Sequence, residues 1–126
     1  MISTVALVAL GGAIGAACRY LVGVAVFRMA GPLEFPLAVL GVNVIGSLLM
    51  GVFVAVAAHK GLTHLGPFMM TGLLGGFTTF SAFSLETVSL IERGSYGAAS
   101  AYVALSVGLS ILGLMLGLMT TRGVLT

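Results

Sequence analysis

Residues 72–87 read GLLGGFTTFSAFSLET and place two adjacent glycines, Gly75 and Gly76, beside a dense run of hydroxyl and phenyl side chains. The surrounding segment, residues 65–85, contains no Asp, Glu, Lys or Arg. A helix in lipid must satisfy its backbone polar groups internally, so a break there needs partners inside protein or in a water-lined cavity. The stretch predicts a transmembrane helix broken at the glycine pair, near the bilayer midplane, where such breaks commonly hold ions.

The composition of the whole chain is that of an integral membrane protein. Of its 126 residues, 60% are hydrophobic and 6% are charged, with a mean hydropathy of +1.25. Residues 1–18, 35–58, 65–85 and 94–121 carry no acidic residue, Lys or Arg, and each run approaches the ~20 residues of a spanning helix. We predict an all-α membrane protein with one domain, residues 1–126, and four transmembrane helices. The predicted helices cover residues 2–26, 36–58, 66–91 and 95–121.

Several other classes of protein fit the sequence poorly. The connections between the predicted helices are short and leave no room for an extramembrane domain. Five scattered basic residues give a net charge of +2 without the clustered patch that nucleic-acid binding requires. The single cysteine, Cys18, is read as a small apolar residue. His59 and His64 have no accompanying acid or set of metal ligands, so we do not predict an enzyme.

The basic residues give no strong signal for orientation in the membrane. Four helices place Lys60 and Arg122 on one side and Arg28 and Arg93 on the other, so the positive-inside count is balanced. Arg19, deeper in the first helix, shifts the balance only weakly. The sequence is compatible with insertion in both orientations and antiparallel pairing of two copies, and equally with a single, weakly biased topology.

Three polar residues fall in one half of the predicted bundle. Asn43 lies seven residues into the second helix, roughly 10 Å deep, and Arg19 and Glu86 approach the same side. Ionisable side chains are costly in a membrane and are functional candidates, with a structural ion pair or snorkelling as the alternative. For Asn43 the alternative to a ligand-binding role is a hydrogen bond between helices. Ser106 and Ser110 of the fourth helix fall near the midplane.

Phe80 and Phe83 are three residues apart and lie on one helical face. On spacing alone they would be core or lipid-facing residues, but hydroxyl side chains are interleaved with them. These are Thr78, Thr79, Ser81, Ser84 and Thr87. Ring edges carry partial positive charge, so phenyl edges and hydroxyl hydrogens together can solvate a small anion without a full countercharge. Permeation requires weak, multiple sites of this kind.

Over essentially its whole length the sequence resembles the Fluc (CrcB-like) fluoride channels. The matching motifs are Gly11-Gly12-Ala13-Ile14-Gly15 with Arg19-Tyr20, Val42-Asn43 with Gly46, Gly72 with Gly75-Gly76-Phe77-Thr78-Thr79-Phe80-Ser81-Ala82-Phe83-Ser84 and Glu86-Thr87, and Tyr102 with Ser106 and Ser110. Ala82 departs from the threonine that many members have between the serine and the second phenylalanine. The departure puts in doubt a role for that side chain, but not for the phenylalanine pair.

The resemblance implies an antiparallel, dual-topology homodimer with two anion pores. It also implies a central structural sodium ion, held by the backbone carbonyls of Gly75 and Thr78 from both subunits. Phe80 and Phe83 would line the pores, Asn43 would donate to fluoride, and Arg19 and Glu86 would shape the mouth of the pathway. Thr79, Ser84, Tyr102, Ser106 and Ser110 would complete it.

The implied activity is passive export of fluoride across the plasma membrane of a prokaryote, by a multi-pass protein whose partners are its own second copy and lipid, with no other protein. Two alternatives compete with this reading. A small multidrug-resistance-type cation/proton exporter has the same architecture but needs a glutamate in its first helix, and residues 2–26 contain no acid. A structural subunit of a membrane assembly would leave the clustered hydroxyls unexplained.

Overall fold

The computed structural model describes all residues, 1–126, and contains helices and no strands. The elements in chain order are α1 (Ile2–Ala30), α2 (Leu37–Lys60), a 3₁₀ turn (Thr63–Leu65), α3, α4 (Phe80–Glu92) and α5 (Tyr96–Leu125). α3 is π-helical over Pro67–Leu74 and α-helical over Gly75–Phe77. Four helical stretches are long and apolar enough to cross a membrane: Ile2–Ala30, Leu37–Lys60, Thr63–Glu92 and Tyr96–Leu125. The all-helical class and the four spans are confirmed.

Two helices extend further than the sequence predicted. α1 ends at Ala30 and α5 ends at Leu125, four residues beyond the predicted ends at 26 and 121. The prediction stopped each helix before its terminal arginine, but Arg28 and Arg122 lie in the last turns. A cation at a helix C-terminus interacts favourably with the exposed carbonyls and the helix dipole, so the charge does not end the helix.

Glycines bring α1 against α3 at backbone distance. A Cβ atom added to Gly11 would lie 2.8 Å from the Leu73 nitrogen, and one added to Gly15 would lie 2.8 Å from the Phe77 nitrogen. Membrane helices gain little from hydrophobic burial against each other, so close backbone packing of this kind supplies much of their attraction. The same device joins α2 to α5, where a Cβ at Gly51 would lie 2.9 Å from the Leu118 nitrogen.

The surface of the chain is strongly apolar. Only 14 of 126 residues are buried, so most of the hydrophobic side chains lie outside, as in a protein surrounded by lipid or by a second subunit. One small core cluster, Leu90, Ala99 and Tyr102, joins α4 to α5, with Phe35 and Phe83 packed against it.

The helical backbone of the third span is interrupted at a threonine pair. Thr78 has φ −82° and ψ 158°, Thr79 has φ −151° and ψ 122°, and helical geometry resumes at Phe80. The expected position of the break, Gly75-Gly76, is therefore wrong by two to three residues, because both glycines are helical.

The glycine pair has a packing role instead. A Cβ at Gly76 would lie 2.7 Å from the Gly12 carbonyl oxygen of α1, and one at Gly75 would lie 3.1 Å from the Met70 carbonyl oxygen. The absence of side chains at these positions allows close approach, and the turn itself is made by residues that hydrogen-bond locally through their hydroxyls.

Candidate functional site

The side-chain amide of Asn43, in the middle of α2, clamps the backbone of Thr79. Its Nδ2 donates to the Thr79 carbonyl at 3.0 Å, and its Oδ1 accepts from the Thr79 N–H at 2.7 Å. The pair of bonds resembles one rung of a β-ladder and satisfies both backbone groups of a residue that has left the helix. One hydrogen of the Asn43 amide remains available, since the group has two donors and only one is used.

The two threonines organise the ends of the helices on either side of them. Thr79 is the N-cap of α4: its hydroxyl accepts from the Ala82 N–H at 3.2 Å and lies 3.3 Å from the Ser81 hydroxyl, with which it shares a further hydrogen bond. The Thr78 hydroxyl donates back to the Leu74 carbonyl at 3.0 Å. α3 thus ends and α4 begins within two residues, which places a negative helix terminus beside a positive one.

Arg19 reaches this region from α1. Its Nε donates to the Gly76 carbonyl at 3.2 Å, next to the exposed residue Gly75. No ion pair joins Arg19 to Glu86, and the two side chains line different cavities. The structural ion pair that was the alternative explanation for these residues is therefore absent.

An open groove of about 330 Å³, the central groove, lies between α2, the threonine pair, α4 and α5. It is lined by Asn43, Gly46, Ser47, Met50, Thr78, Thr79, Phe80, Phe83, Ser106, Val107, Ser110, Ile111 and Leu114. No lining residue is ionisable, so the polar groups that the groove offers are amide, hydroxyl and backbone groups. Six of the residues expected in the anion pathway are brought together here: Asn43, Thr79, Phe80, Phe83, Ser106 and Ser110.

Two hydroxyl groups near the groove are buried without a hydrogen-bond partner. They are the Tyr102 phenol, whose side chain is 0% exposed, and the Ser106 hydroxyl, whose side chain is 5% exposed. A buried polar group without a partner costs free energy, and such groups usually mark a functional position or the place of a bound ion or water. Both belong to the expected pathway.

Phe80 and Phe83 differ in their surroundings. Phe80 is 77% exposed at the edge of the groove, whereas Phe83 is partly buried and its ring centroid lies 5.2 Å from that of Tyr102. The two phenyl centroids are 5.5 Å apart at an interplanar angle of 48°. Such tilted rings present edges as well as faces to the groove.

Four of the expected pathway residues do not line the central groove: the buried Tyr102, and Ser84, Arg19 and Glu86. Ser84 is exposed, and its hydroxyl donates to the Phe80 carbonyl at 3.0 Å. Arg19 lines a second cavity of about 490 Å³, together with Arg28 and Thr79. Glu86 lines a third cavity of about 210 Å³ between α1, the first loop and α2. Because Thr79 lines both the first and the second cavity, its backbone separates them.

Sequence reasoning missed the contribution of Gly46. A Cβ there would overlap the Thr78 Cγ2 atom, so the glycine makes the space in which the extended threonine fits. Its signal in the sequence was only its distance of three residues from Asn43. The Asn43 clamp itself could not be read from the sequence, since its partner is backbone 36 residues away.

Residues 6–118 match the family model described as CrcB-like protein, Camphor Resistance (CrcB). The chain belongs to the CrcB-like family. The match includes most of each helical span and every residue of the central groove.

Several relatives of this CrcB-like chain carry the name fluoride-specific ion channel FluC. The protein of Ruegeria sp. (strain TM1040) is 69% identical over 126 residues, which is 100% of both chains. That of Roseobacter denitrificans is 66% identical over 119 residues, 94% of each chain. That of Agrobacterium fabrum is 48% identical over 120 residues, 94% of this chain and 95% of the relative.

Proposed function

We propose that this CrcB-like chain is a fluoride channel, through which fluoride leaves the cell passively and its toxicity in the cytoplasm is reduced. The observation that carries the proposal is the pair of buried, unpartnered hydroxyls of Tyr102 and Ser106 beside a groove that contains no ionisable side chain. The names of the relatives support the choice of ion. The four apolar spans fit a multi-pass protein, which we place in the plasma membrane of a prokaryote.

The chemistry of the groove suits a small, strongly hydrogen-bonding anion. Asn43 has one unused N–H, the Thr79 and Ser81 hydroxyls share one hydrogen bond and so keep one hydroxyl hydrogen between them, and the Tyr102 and Ser106 hydroxyls have no partner. These donors are neutral, so each can hold an anion without the attraction of a fixed countercharge that would retain it. The first turn of α4 also opens here, and the positive end of its dipole favours an anion.

We propose that the conducting unit is an antiparallel homodimer in which both insertion orientations occur, with two anion pores. In the single chain the central groove is open on one side, and Phe80, 77% exposed, stands at its edge. A second copy packed over this face would close each groove into a pore and bury the exposed phenyl ring. The balanced distribution of basic residues, two on each side, supports dual topology.

A structural sodium ion near the bilayer midplane belongs to the same proposal, and the residues present suit it. The Thr78 carbonyl receives no hydrogen bond from the chain, and the Gly75 carbonyl lacks the bond from Thr79 that a continuous helix would supply. Backbone carbonyls are suitable ligands for a hard cation, and the C-terminal end of α3 carries partial negative charge. The ion would hold together the broken spans of the two subunits.

The first test is fluoride efflux from liposomes that contain the purified protein, recorded with a fluoride electrode after a potassium ionophore relieves the charge. Chloride-loaded liposomes are the control for selectivity. Rapid release of fluoride without chloride is expected. Release of neither ion from protein shown to be folded would contradict the proposal, and uptake of an organic cation coupled to protons would then favour the exporter.

A further inference from the structure

The carbonyl groups around the threonine pair differ in whether they accept a hydrogen bond from the chain. In a continuous α-helix the Thr79 N–H would donate to the carbonyl of Gly75, four residues earlier. Here that N–H donates instead to Oδ1 of Asn43, at 2.7 Å. The extended backbone at Thr78 and Thr79 carries the chain away from the helix axis, and the amide of Asn43 compensates the bond that is lost.

The carbonyls on both sides of Gly75 are already used. The Leu74 carbonyl accepts from the Thr78 N–H and hydroxyl, each at 3.0 Å, and the Gly76 carbonyl accepts from Arg19. The Thr79 carbonyl accepts from Asn43. The local hydrogen bonds therefore occupy three neighbouring carbonyls and leave those of Gly75, Phe77 and Thr78 without a donor from the chain.

We infer that Asn43 is a positioning residue for the cation site: by accepting the Thr79 N–H, its side chain keeps the Gly75 carbonyl available as a sodium ligand. Arg19 occupies the neighbouring Gly76 carbonyl, so that carbonyl is not available to the cation. The inference rests on the sodium site of the proposed function, and it joins a residue of the anion pathway to the ion that supports the assembly.

Losing the two hydrogen bonds between Asn43 and Thr79 would cost free energy. This cost predicts how a substitution at position 43 affects the cation site. If an apolar side chain replaces Asn43, both backbone groups of Thr79 lose their partners within the bundle, and an unpaired buried N–H is expensive. The acceptor that an ordinary helix would give that N–H is the carbonyl of Gly75, four residues earlier. The substitution thus favours closing the helix onto Gly75, which removes the carbonyl from the cation.

Two substitutions at position 43 separate the cation role from the anion role. Asn43→Leu has a similar size and removes both hydrogen bonds. Asn43→Asp retains an acceptor for the Thr79 N–H, so Gly75 stays free, but it places a negative charge beside the anion pathway. Ser47→Ala is the matched control, because Ser47 lies one turn further along α2, lines the same groove and makes no hydrogen bond.

The test measures thermal unfolding of each purified protein in detergent as sodium chloride replaces N-methyl-D-glucamine chloride at constant ionic strength. Fluoride efflux is recorded in parallel. The parent protein and Ser47→Ala should show a saturable stabilisation by sodium. Asn43→Leu should need about fivefold more sodium for half of that stabilisation, since a competing hydrogen bond is worth on the order of 1 kcal/mol. Asn43→Asp should keep the sodium response and lose fluoride efflux.

An unchanged sodium midpoint in Asn43→Leu would overturn the inference. Should that variant fail to fold, Asn43→Asp decides, because loss of its sodium response would contradict a role for the retained acceptor. Absence of any sodium response in the parent protein would remove both the sodium site and this inference. The channel function would then be tested by the efflux assay alone. Failure of the sodium site and failure of the channel function are therefore distinguishable.

Discussion

The ring of Phe83 lies against the ring of Tyr102, with centroids 5.2 Å apart and planes inclined by 38°. Phe80 continues the series outward, at 5.5 Å from Phe83, and Phe35 meets Tyr102 edge-on at 5.6 Å. The rings lead from an exposed position at the groove to a phenol that is fully buried and has no hydrogen-bond partner. This row of rings thus ends at the Tyr102 hydroxyl, and packing within the subunit gives no reason for a hydroxyl group there.

Replacing that hydroxyl gives a prediction in which stability and activity move in opposite directions. Tyr102→Phe removes an unsatisfied buried polar group and preserves the ring contacts, so unfolding should cost about 1 kcal/mol more. Fluoride efflux should slow by about tenfold, because a hydrogen bond to a charged ligand is lost. Thermal unfolding in detergent and liposome efflux measure the two effects.

Tyr96→Phe is the control for this substitution, because Tyr96 lies on the same helix but is 66% exposed. It should change neither quantity. A destabilised Tyr102→Phe protein would mean that the phenol has a structural partner, such as a water or the second subunit. Undiminished efflux would remove Tyr102 from the pathway.

Phe80 allows a separate test of the ring edges. Its side chain is 77% exposed in the single chain, so substitution there leaves the packing within the subunit intact. Phe80→Ile removes the electropositive ring edge and introduces a stiff, branched side chain, whereas Phe80→Met retains a flexible, polarizable one. Fluoride efflux should fall further in Phe80→Ile than in Phe80→Met. Equal and undiminished rates for both would assign the ring to packing alone.

The sequence was sufficient for the helices but not for the position of the turn in the third span. Long charge-free runs predict four spans because length and polarity are properties of each segment alone. The turn depends on tertiary contacts. Gly75 and Gly76 are flexible by composition, yet both are helical and α1 packs against Gly76, while Asn43 hydrogen-bonds Thr79, which lies outside the helix.

In the candidate site too, some features could be predicted from the sequence, whereas others depend on tertiary contacts. Spacing placed Phe80 and Phe83 on one helix face, because neighbours on a face are fixed by helical geometry. The interleaved hydroxyls and the family resemblance, rather than the spacing, predicted a place in the anion pathway. The role of Gly46 depends on the Thr78 side chain that fills its space, and the free carbonyl of Gly75 depends on a bond made by α2. Such relationships have no local signature, because each joins residues more than 30 positions apart.

The close packing at the glycines of α1 leads to a prediction about the stability of the subunit. A Cβ at Gly15 would lie 2.8 Å from the Phe77 nitrogen and would also overlap the Leu73 carbonyl, so Gly15→Ala should destabilise the fold by about 2 kcal/mol. Gly23→Ala on the same helix is the control, because nothing lies within 4 Å of its added methyl group. It should be neutral or slightly stabilising, since alanine is the better helix former. Equal thermal stability of the two variants would contradict the close packing of α1 against α3.

The last prediction concerns orientation in the membrane. If two antiparallel copies form the channel, a tag after Thr126 should be labelled from both faces of the membrane, in comparable amounts. The physical reason is the balance of charge, with Lys60 and Arg122 on one side against Arg28 and Arg93 on the other. A variant carrying two added lysines in the loop at residues 61–66 should insert in one orientation and lose efflux, because its partners can no longer be antiparallel. Coexpression with the opposite variant, with two lysines added at residues 31–36, should restore efflux. Strictly one-sided labelling of the parent chain would show that antiparallel copies do not form.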